Sequence, residues 1–417
     1  MNNNKYWYGL KSEVYVHIRN DKALAYDTQH NICHLSEDRH VVDLLKRVEL
    51  DESTGCVLID ENWQFPSVQK WIHETCAKKM AVKIPFISAE SRPVILRPLL
   101  SLNKDMDKIA DINHIQLFFG ESVKHFLNSL TIYINASCTH HCIRCKDYCR
   151  QIPFCTNFGE GRNFSISPQQ LATILKEVEA FPLRHINILG GNIYDEIALL
   201  QKLQEAARQI PVSYRFYVHY AQYQKNSFVD GQNLHLLIPA HLDACLLEAI
   251  YEQLLMSDTT FHFVIESEND VKAVDNFVNN NHVKSYQMHP FYTGHNEAFF
   301  IQNVYMKKED LVHTKLCMRE IFRNQKLNAN NFGALYIMPD GSIRARTDSP
   351  ALGYVGEDKL VDVIHKELTD NTAWRRVRCE EPCSQCVFQY ICPPPSGYES
   401  AIGKNNLCYM RINKTIV

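Results

Sequence analysis

The sequence predicts an α/β protein built on a parallel sheet of about six strands alternating with helices, open or curled into a partial (β/α)6 TIM-like barrel. A small N-terminal α+β unit precedes it and a cysteine-rich unit follows. Three observations carry this. Buried-strand runs and amphipathic helical runs alternate from roughly residue 130 to 290. The first hundred or so residues hold strand and helix signals of their own. Ten of the 15 cysteines fall in two short windows, one just after the first strand of the alternating region and one near the C-terminus. The expected division is 1–105, 125–310 and 325–417.

In chain order, "EVYVHIRNDKALAYDTQHNICHL" reads as a strand pair, and "DRHVVDLLKRVEL" and "FPSVQKWIHETCAKKM" as amphipathic helices. The run "EVYVHI" alternates Val14, Val16 and Ile18 with other partners, as an edge strand with one buried face would. "LTIYIN" opens the alternating region as a buried strand. "SISPQQLATILKEVEAF" is a helix with Ser167 as N-cap and Pro168 at its first position. "HINILGG" is a second strand ending in two glycines, followed by the helix "YDEIALLQKLQEAARQI". Strands "YRFYVHY", "LHLLIP", "FHFVIE" and "SYQMHPF" continue the pattern, with helices around "DACLLEAIYEQLL" and "NDVKAVDNFVNN". "LYIMPDGSIRAR" reads as a hairpin turning on Asp340 and Gly341.

Composition limits the function classes. A chain of 417 residues exceeds one ordinary core, and 45% hydrophobic with 22% charged residues, including 20 Tyr and 20 Phe, describes a globular protein rather than a disordered one. The start "MNNNKYWYGLKSEVYVHIRND" has no apolar signal core, and no window approaches the roughly 18 uninterrupted apolar residues of a membrane helix. A cytoplasmic location is expected, with no membrane partner. The net charge of −3 gives no electrostatic case for nucleic acid. In a reducing compartment so many cysteines read as metal ligands or thiols rather than disulfides.

The first window holds Cys138, Cys142, Cys145, Cys149 and Cys155, on what reads as the loop leaving the first parallel strand. Sites in such sheets form at the C-terminal ends of strands, where Gly190 and Gly191 also fall. The Cys138-x3-Cys142-x2-Cys145 spacing lets three thiolates take three irons of a [4Fe-4S] cube and leave the fourth iron open. The same thiols with His140 or His141 would also make a zinc site. The second window holds Cys379, Cys383, Cys386, Cys392 and Cys408. Cys383-x2-Cys386-x5-Cys392 with Cys408 supplies four thiolates, enough to saturate one cluster, and a zinc ribbon is the alternative. Cys33, Cys56, Cys76, Cys245 and Cys317 read as buried small hydrophobes.

On these residues the chain resembles the radical S-adenosylmethionine (radical SAM) superfamily, and its tail resembles the SPASM domain, the auxiliary-cluster module of peptide-modifying members. The N-terminal unit resembles, in size and position, the winged-helix-like peptide-recognition domain that precedes many peptide-maturing enzymes. With "NILGGNIYDE" and "CPPPSGYESAIGKNNLC" taken together, the nearest family is the radical SAM-like/SPASM maturases of Bacteroidales GG-type ribosomal peptide (RiPP) systems, some of which are pseudo-enzymes beside an active paralogue. The resemblance implies one radical SAM-type [4Fe-4S] cluster on Cys138, Cys142 and Cys145. It also implies S-adenosylmethionine held near Gly190, Gly191 and Asn192, and an auxiliary cluster on Cys383, Cys386, Cys392 and Cys408. The chemistry implied is a 5′-deoxyadenosyl radical that modifies a ribosomal precursor peptide, with a reductant protein and a paralogous maturase as partners. The alternative is a catalytically silent scaffold or peptide carrier. Two positions depart from the family: Arg144 stands where an aromatic residue is usual, and Asn192 where a carboxylate is. A second auxiliary cluster looks lost, because Ser396 stands where one of its cysteines is expected.

Overall fold

The computed structural model describes residues 5–96, 120–138, 140, 142–155, 164–240, 243–254 and 257–409. The expected boundary near residue 105 and His141 lie outside the described residues.

The N-terminal unit is α+β. Strand β1 (Tyr6–Leu10) pairs antiparallel with β5 (Cys56–Ile59) and β6 (Ala81–Pro85). Strands β2 (Val14–Arg19), β3 (Lys22–Asp27) and β4 (Ile32–Ser36) make a second antiparallel sheet in that order, so β2 lies at an edge. The expected strand pair is thus three strands. Two turns divide the stretch, at Asn20 with φ 51° and Asn31 with φ 56°, the left-handed conformation that asparagine tolerates better than most residues. Helix α1 (Arg39–Glu49) starts where the Asp38 side chain accepts from the His40 and Val41 amides, and α2 (Pro66–Ala77) starts on its proline. Their apolar faces close a core around Tyr8, Leu44, Leu45 and Ile72.

The large sheet runs β12-β11-β10-β9-β8-β7-β13-β14-β15. Its six parallel strands are β7 (Ser129–Tyr133), β8 (His185–Leu189), β9 (Ser213–His219), β10 (Asn233–Ile238), β11 (Thr259–Ile265) and β12 (Tyr286–Pro290), each beside its sequence neighbour. Sequential order with crossover helices places the helices on one face. Helices α3 (Cys145–Gln151), α4 (Pro168–Val178), α5 (Ile197–Ala207), α6 (Ala244–Leu254) and α7 (Glu268–Asn281) fall between these strands. Alternate strand residues such as Ile132, Ile188, Phe216, Leu236 and Phe263 share one apolar core with α4 to α7. Helix α4 begins on the expected N-cap, Ser167 and Gln170 exchanging side-chain and backbone bonds. The other face carries Thr131, Asn187, Tyr217, His235 and His262 at the intervening positions, with the Asn187 amide donating to Thr131 Oγ1 at 3.0 Å. Tyr133, Leu189, Leu237 and Val264 lie on the same face in two small apolar clusters, so this second face is mixed, polar and apolar, unlike the first.

The hairpin of β13 (Ala334–Ile337) and β14 (Ser342–Arg344) turns on Asp340 and Gly341, whose φ of 81° is in the left-handed region. It extends the large sheet through parallel pairing of β13 with β7, and β15 (Gly353–Tyr354) pairs with β14. Helix α8 (Leu360–Asp370) follows. Its Glu367 is fully buried, and its carboxylate accepts from the Thr372, Ala373 and Trp374 amides, which fixes Trp374 in the core with its indole N–H donating to Ala334 O at 2.8 Å. The N-terminal unit meets the tail through Tyr15, Leu24 and Tyr26 packed on Leu311, Phe388 and Ile391. His17 Nδ1 lies 2.9 Å from Val387 O, and burial pulls this imidazole down to about 4. Among the described residues no helix is long and apolar enough to cross a membrane.

Of the five scattered cysteines Cys56 is buried as expected, Cys33 and Cys76 are only half-buried, and two depart from expectation outright. Cys245 and Cys317 are exposed, because α6 turns Leu247, Ile250 and Leu254 inward and Cys245 outward, and Cys317 caps the helix Met318–Lys326.

Trp374 is completely buried where α8, β13 and Phe332 meet. Trp374→Ala is expected to lower unfolding free energy by about 3–5 kcal/mol in denaturant titration, the usual result of emptying so large a site.

Candidate metal centres

The first centre is built on the end of β7. Asn135, 1% exposed, spans the gap to the end of β8: its Oδ1 accepts from the Gly191 amide at 2.9 Å and its Nδ2 donates to Asn192 O at 2.7 Å. The Gly191 amide also approaches Asn135 O, and the Asn192 amide donates to Ser137 O at 2.6 Å. A Cβ at Gly191 would stand 1.8 Å from Ser137 O, and one at Gly190 would stand 2.6 Å from Asn135 Oδ1. Both glycines therefore lie against the segment that leads into Cys138, with no room for side chains. The Asn192 side chain caps the short turn Ile193–Asp195, accepting from the Tyr194 amide and donating to Asp195 Oδ1.

From Ser137 the chain passes Cys138 and Cys142 and enters α3 at Cys145, so the expected loop is in part a helix. Tyr148, on α3, and Ile152, Phe154 and Cys155 bury themselves on Leu237, Val264 and Phe291, and this sets the thiols over the second face of the sheet. The free thiols of Cys145 and Cys155 share a hydrogen bond, and Cys138 and Cys142 lie within electrostatic reach of them. Gln222 Nε2 donates to Cys138 Sγ at 3.1 Å, and His219 Nε2 is 3.4 Å from Cys142 Sγ. Burial, with Cys145 and Cys138 adding to it, pushes the Cys142 thiol up to about 11. Burial and His140 pull His219 down to about 4.

These shifts select among chemistries. A nucleophilic cysteine needs a cationic neighbour to hold its thiolate. Here the adjacent imidazole is held neutral and each thiol opposes ionisation of the others. Four sulfurs gathered this way suit a soft metal or iron–sulfur cluster, whose charge replaces the protons. Among the described residues no three Cys, His, Asp or Glu side chains are placed to hold a metal ion as they stand, so it is the residue types and their spacing that suit such a group.

Other expected residues lie near. Arg144 ties the start of α3 to the ends of β11 and β12, with Nε 3.5 Å from Glu266 Oε1 and Nη1 donating to Thr293 O at 3.3 Å. His140 stacks on His219 with ring centroids 5.3 Å apart. Cys149, also on α3, accepts at its carbonyl from Thr347 Oγ1 at 2.6 Å. A cavity of about 250 Å³ opens beside Cys142, walled by His140, Arg144, Tyr148, His219 and Glu266.

The second centre gathers Cys383, Cys386, Cys392 and Cys408. Burial pushes the Cys392 thiol up to about 12, with Cys383, Cys408 and Cys386 adding to the effect against the lowering influence of Arg378. Cys408 reaches the group because the strand-like contact of Met306 with Leu407 and Tyr409 pins the tail. Arg378, 8% exposed, donates to Glu399 Oε1 at 2.8 Å and points Nη1 at Cys383 Sγ, 3.8 Å away. These four thiols are of the type that a four-thiolate metal group uses, and Arg378 would offset part of its negative charge. Ser396 caps the helix Gly397–Ile402, its hydroxyl donating to Glu399 Oε2 and accepting from the Tyr398 amide. Cys379 is exposed and lines a cavity of about 440 Å³ together with Arg346, Arg375, Arg376 and Lys404, which Cys383, Arg378 and Glu399 also border.

Sequence reasoning missed Gln222, His219 and Glu266 and gave Cys155 no settled place. The first three were findable by position, since each lies at or just past the C-terminal end of a parallel strand. Cys155 was not, because its arrival depends on how the chain turns after α3.

No protein-family model matches the chain, and no curated protein matches it. The chain is similar to the solved structure "Native anSMEcpe with bound AdoMet", with a TM-score of 0.44 and 12% identity over 63% of this chain and 88% of that one.

Because Gly191 touches Ser137, Gly191→Ala should push the first-centre loop aside. Metal bound by Cys138, Cys142 and Cys145 is expected to fall at least tenfold in affinity, about 1.4 kcal/mol or more, while the second centre keeps its metal. The two are read separately by metal analysis of Gly191→Ala in wild-type and Cys383→Ala backgrounds.

Proposed function

We propose that this chain is a radical SAM-type SPASM maturase of a RiPP system, in which Cys138, Cys142 and Cys145 hold one [4Fe-4S] cluster and Cys383, Cys386, Cys392 and Cys408 hold an auxiliary one. The observation that carries the reading is the gathering of two sets of thiols, one at the C-terminal end of a six-stranded parallel sheet and one in the tail, each in an environment that suits metal ligation better than nucleophilic attack. A reduced cluster with S-adenosylmethionine on its open iron supplies a 5′-deoxyadenosyl radical, which can take a hydrogen atom from a peptide. The chain's own part is to hold the sulfurs, to set Gln222 and His219 against them, and to offer the second face of the sheet as the place for substrate. The partners are a precursor peptide, a reductant protein and a paralogous maturase, and the work is cytoplasmic.

A second reading, a catalytically silent scaffold or peptide carrier, has its own support. Cys155 stands in hydrogen-bonding contact with Cys145, where a fourth sulfur could occupy the iron that the cofactor requires. Asn192 spends its side chain on a cap, and the 250 Å³ cavity beside Cys142 is smaller than the roughly 300 Å³ or more of ordinary small-molecule sites.

Cluster-loaded, reduced protein is expected to release 5′-deoxyadenosine from S-adenosylmethionine, and Cys142→Ala to abolish that release. No release and no cofactor binding by the wild type, with binding gained in Cys155→Ala, would establish the scaffold instead.

Leader recognition is assigned to the edge strand β2 by strand addition. Adding the cognate precursor should slow amide hydrogen exchange across Val14–Arg19 at least tenfold, and unchanged exchange there would place the peptide elsewhere.

A further inference from the structure

The second face of the large sheet holds a feature that neither centre uses. His235, His262 and His289, on β10, β11 and β12, recur at intervals of 27 residues and touch in series. His235 Nδ1 lies 2.8 Å from His262 Nε2, and His262 Nδ1 lies 2.8 Å from His289 Nε2. Distances this short require an N–H between each pair of nitrogens. The arrangement is a chain and not a chelate: His262 turns different ring nitrogens to its two neighbours, so one ion cannot bind all three.

The strand register gives the chain a direction. His235 is level with Tyr217 and stacks on it, with centroids 4.3 Å apart and planes 10° apart. His262 is level with Leu237, two residues further toward the strands' C-terminal ends, and His289 is level with Val264, two residues further again. Leu237 and Val264 are in the layer on which Tyr148 and Phe154 pack. The ladder therefore climbs diagonally across the second face of the sheet, from near Arg215 and His185 to the layer under the cysteine-bearing helix.

We propose that His235, His262 and His289 form a proton relay that links the space beneath the cysteine-bearing helix with the N-terminal end of the sheet. In one state His235 carries its proton on Nε2, His262 donates from Nε2 to His235 Nδ1, His289 donates from Nε2 to His262 Nδ1, and His289 Nδ1 is bare. A proton arriving at His289 Nδ1 lets each ring pass its own along, and the His235 Nε2 proton leaves. One proton enters and one departs; each ring holds one ring proton before and after, with every bond direction reversed. Neither outer nitrogen, His289 Nδ1 nor His235 Nε2, is among the sealed and unpartnered polar atoms of the described residues, unlike His17 Nε2. Burial pulls the three imidazoles down to about 4, 3 and 4, so the resting ladder is neutral and positive charge is present only in transit. Arg215 and His185 at the lower end and the other two imidazoles are the charged or titratable groups that face it, and each disfavours charge held on a ring. The relay would serve any step under the helix that gains or loses a proton.

The test is nitrogen NMR of the full-length protein labelled with 15N in its histidine rings. A relay predicts scalar coupling across both N–H···N bonds and, at all six ring nitrogens, shifts averaged between the protonated and bare types, because the ladder reverses. His289→Phe, which removes the entry nitrogen and leaves the other bond in place, should slow that averaging at His235 at least tenfold. His262→Phe should remove both couplings. Three rings each locked in one tautomer, coupled or not, would overturn the relay and leave a structural ladder. Averaging at His235 that persists unchanged in His289→Phe would overturn it equally. Neither result depends on whether the chain cleaves S-adenosylmethionine.

Discussion

The site depends first on Asn135. This amide is sealed from water, and inside a protein an amide without partners is costly, so its position is fixed by those it finds: the Gly191 amide, Asn192 O and, at 3.4 Å, Glu196 Oε1. The bonds join the ends of β7 and β8 and draw them close enough that Gly191 lies against Ser137. Cys138, the first of the cysteines, is the next residue. Glu196 also accepts from Ser165 Oγ, so the segment that leads into α4 is tied to the same point. Weakening this clamp would let the first sulfur ligand wander, however well the rest of the barrel-like sheet were packed.

The sheet supplies the second constraint. One face is apolar and covered by helices in a single core; the other alternates with it residue by residue and mixes polar Thr131, Asn187, His235 and His262 with apolar Leu189, Leu237 and Val264. Polar groups inside a fold are costly unless they find each other or water. Here the Asn187 amide donates to Thr131, Tyr217 stacks on His235 and the histidines bond one another, while Asn187 Oδ1 is left without a partner among the described residues. The same alternation that builds the core thus leaves a hydrogen-bonded interior under the cysteines, while Arg144 and α3 form its roof.

Much of this was legible in the residues. Ser167 and Pro168 marked a helix start, Asp340 and Gly341 marked a turn, and short apolar or aromatic-rich runs marked the parallel strands, because these signals are local. The third strand of the N-terminal sheet was missed because Asn31 was not weighed as a turn residue. The partnership of Cys155 with Cys145 and of Arg378 with Glu399 is set by tertiary packing between segments that no periodicity relates. The histidine ladder is a different case. Its three members stand at matching positions in "LHLLIP", "FHFVIE" and "YQMHP", and aligning those strands side by side would have brought them into view.

We propose one logic for the two centres: burial raises the thiols of Cys142 and Cys392, and a metal bound there would take the place of their protons. Whether that metal is an iron–sulfur cluster is the central claim, and anaerobic purification with iron, sulfide and zinc analysis tests it most directly. The account predicts brown protein with about eight irons per chain in two four-iron clusters, about half of which is lost on replacing Cys383 and Cys386 by Ala. Stoichiometric zinc with negligible iron would contradict it.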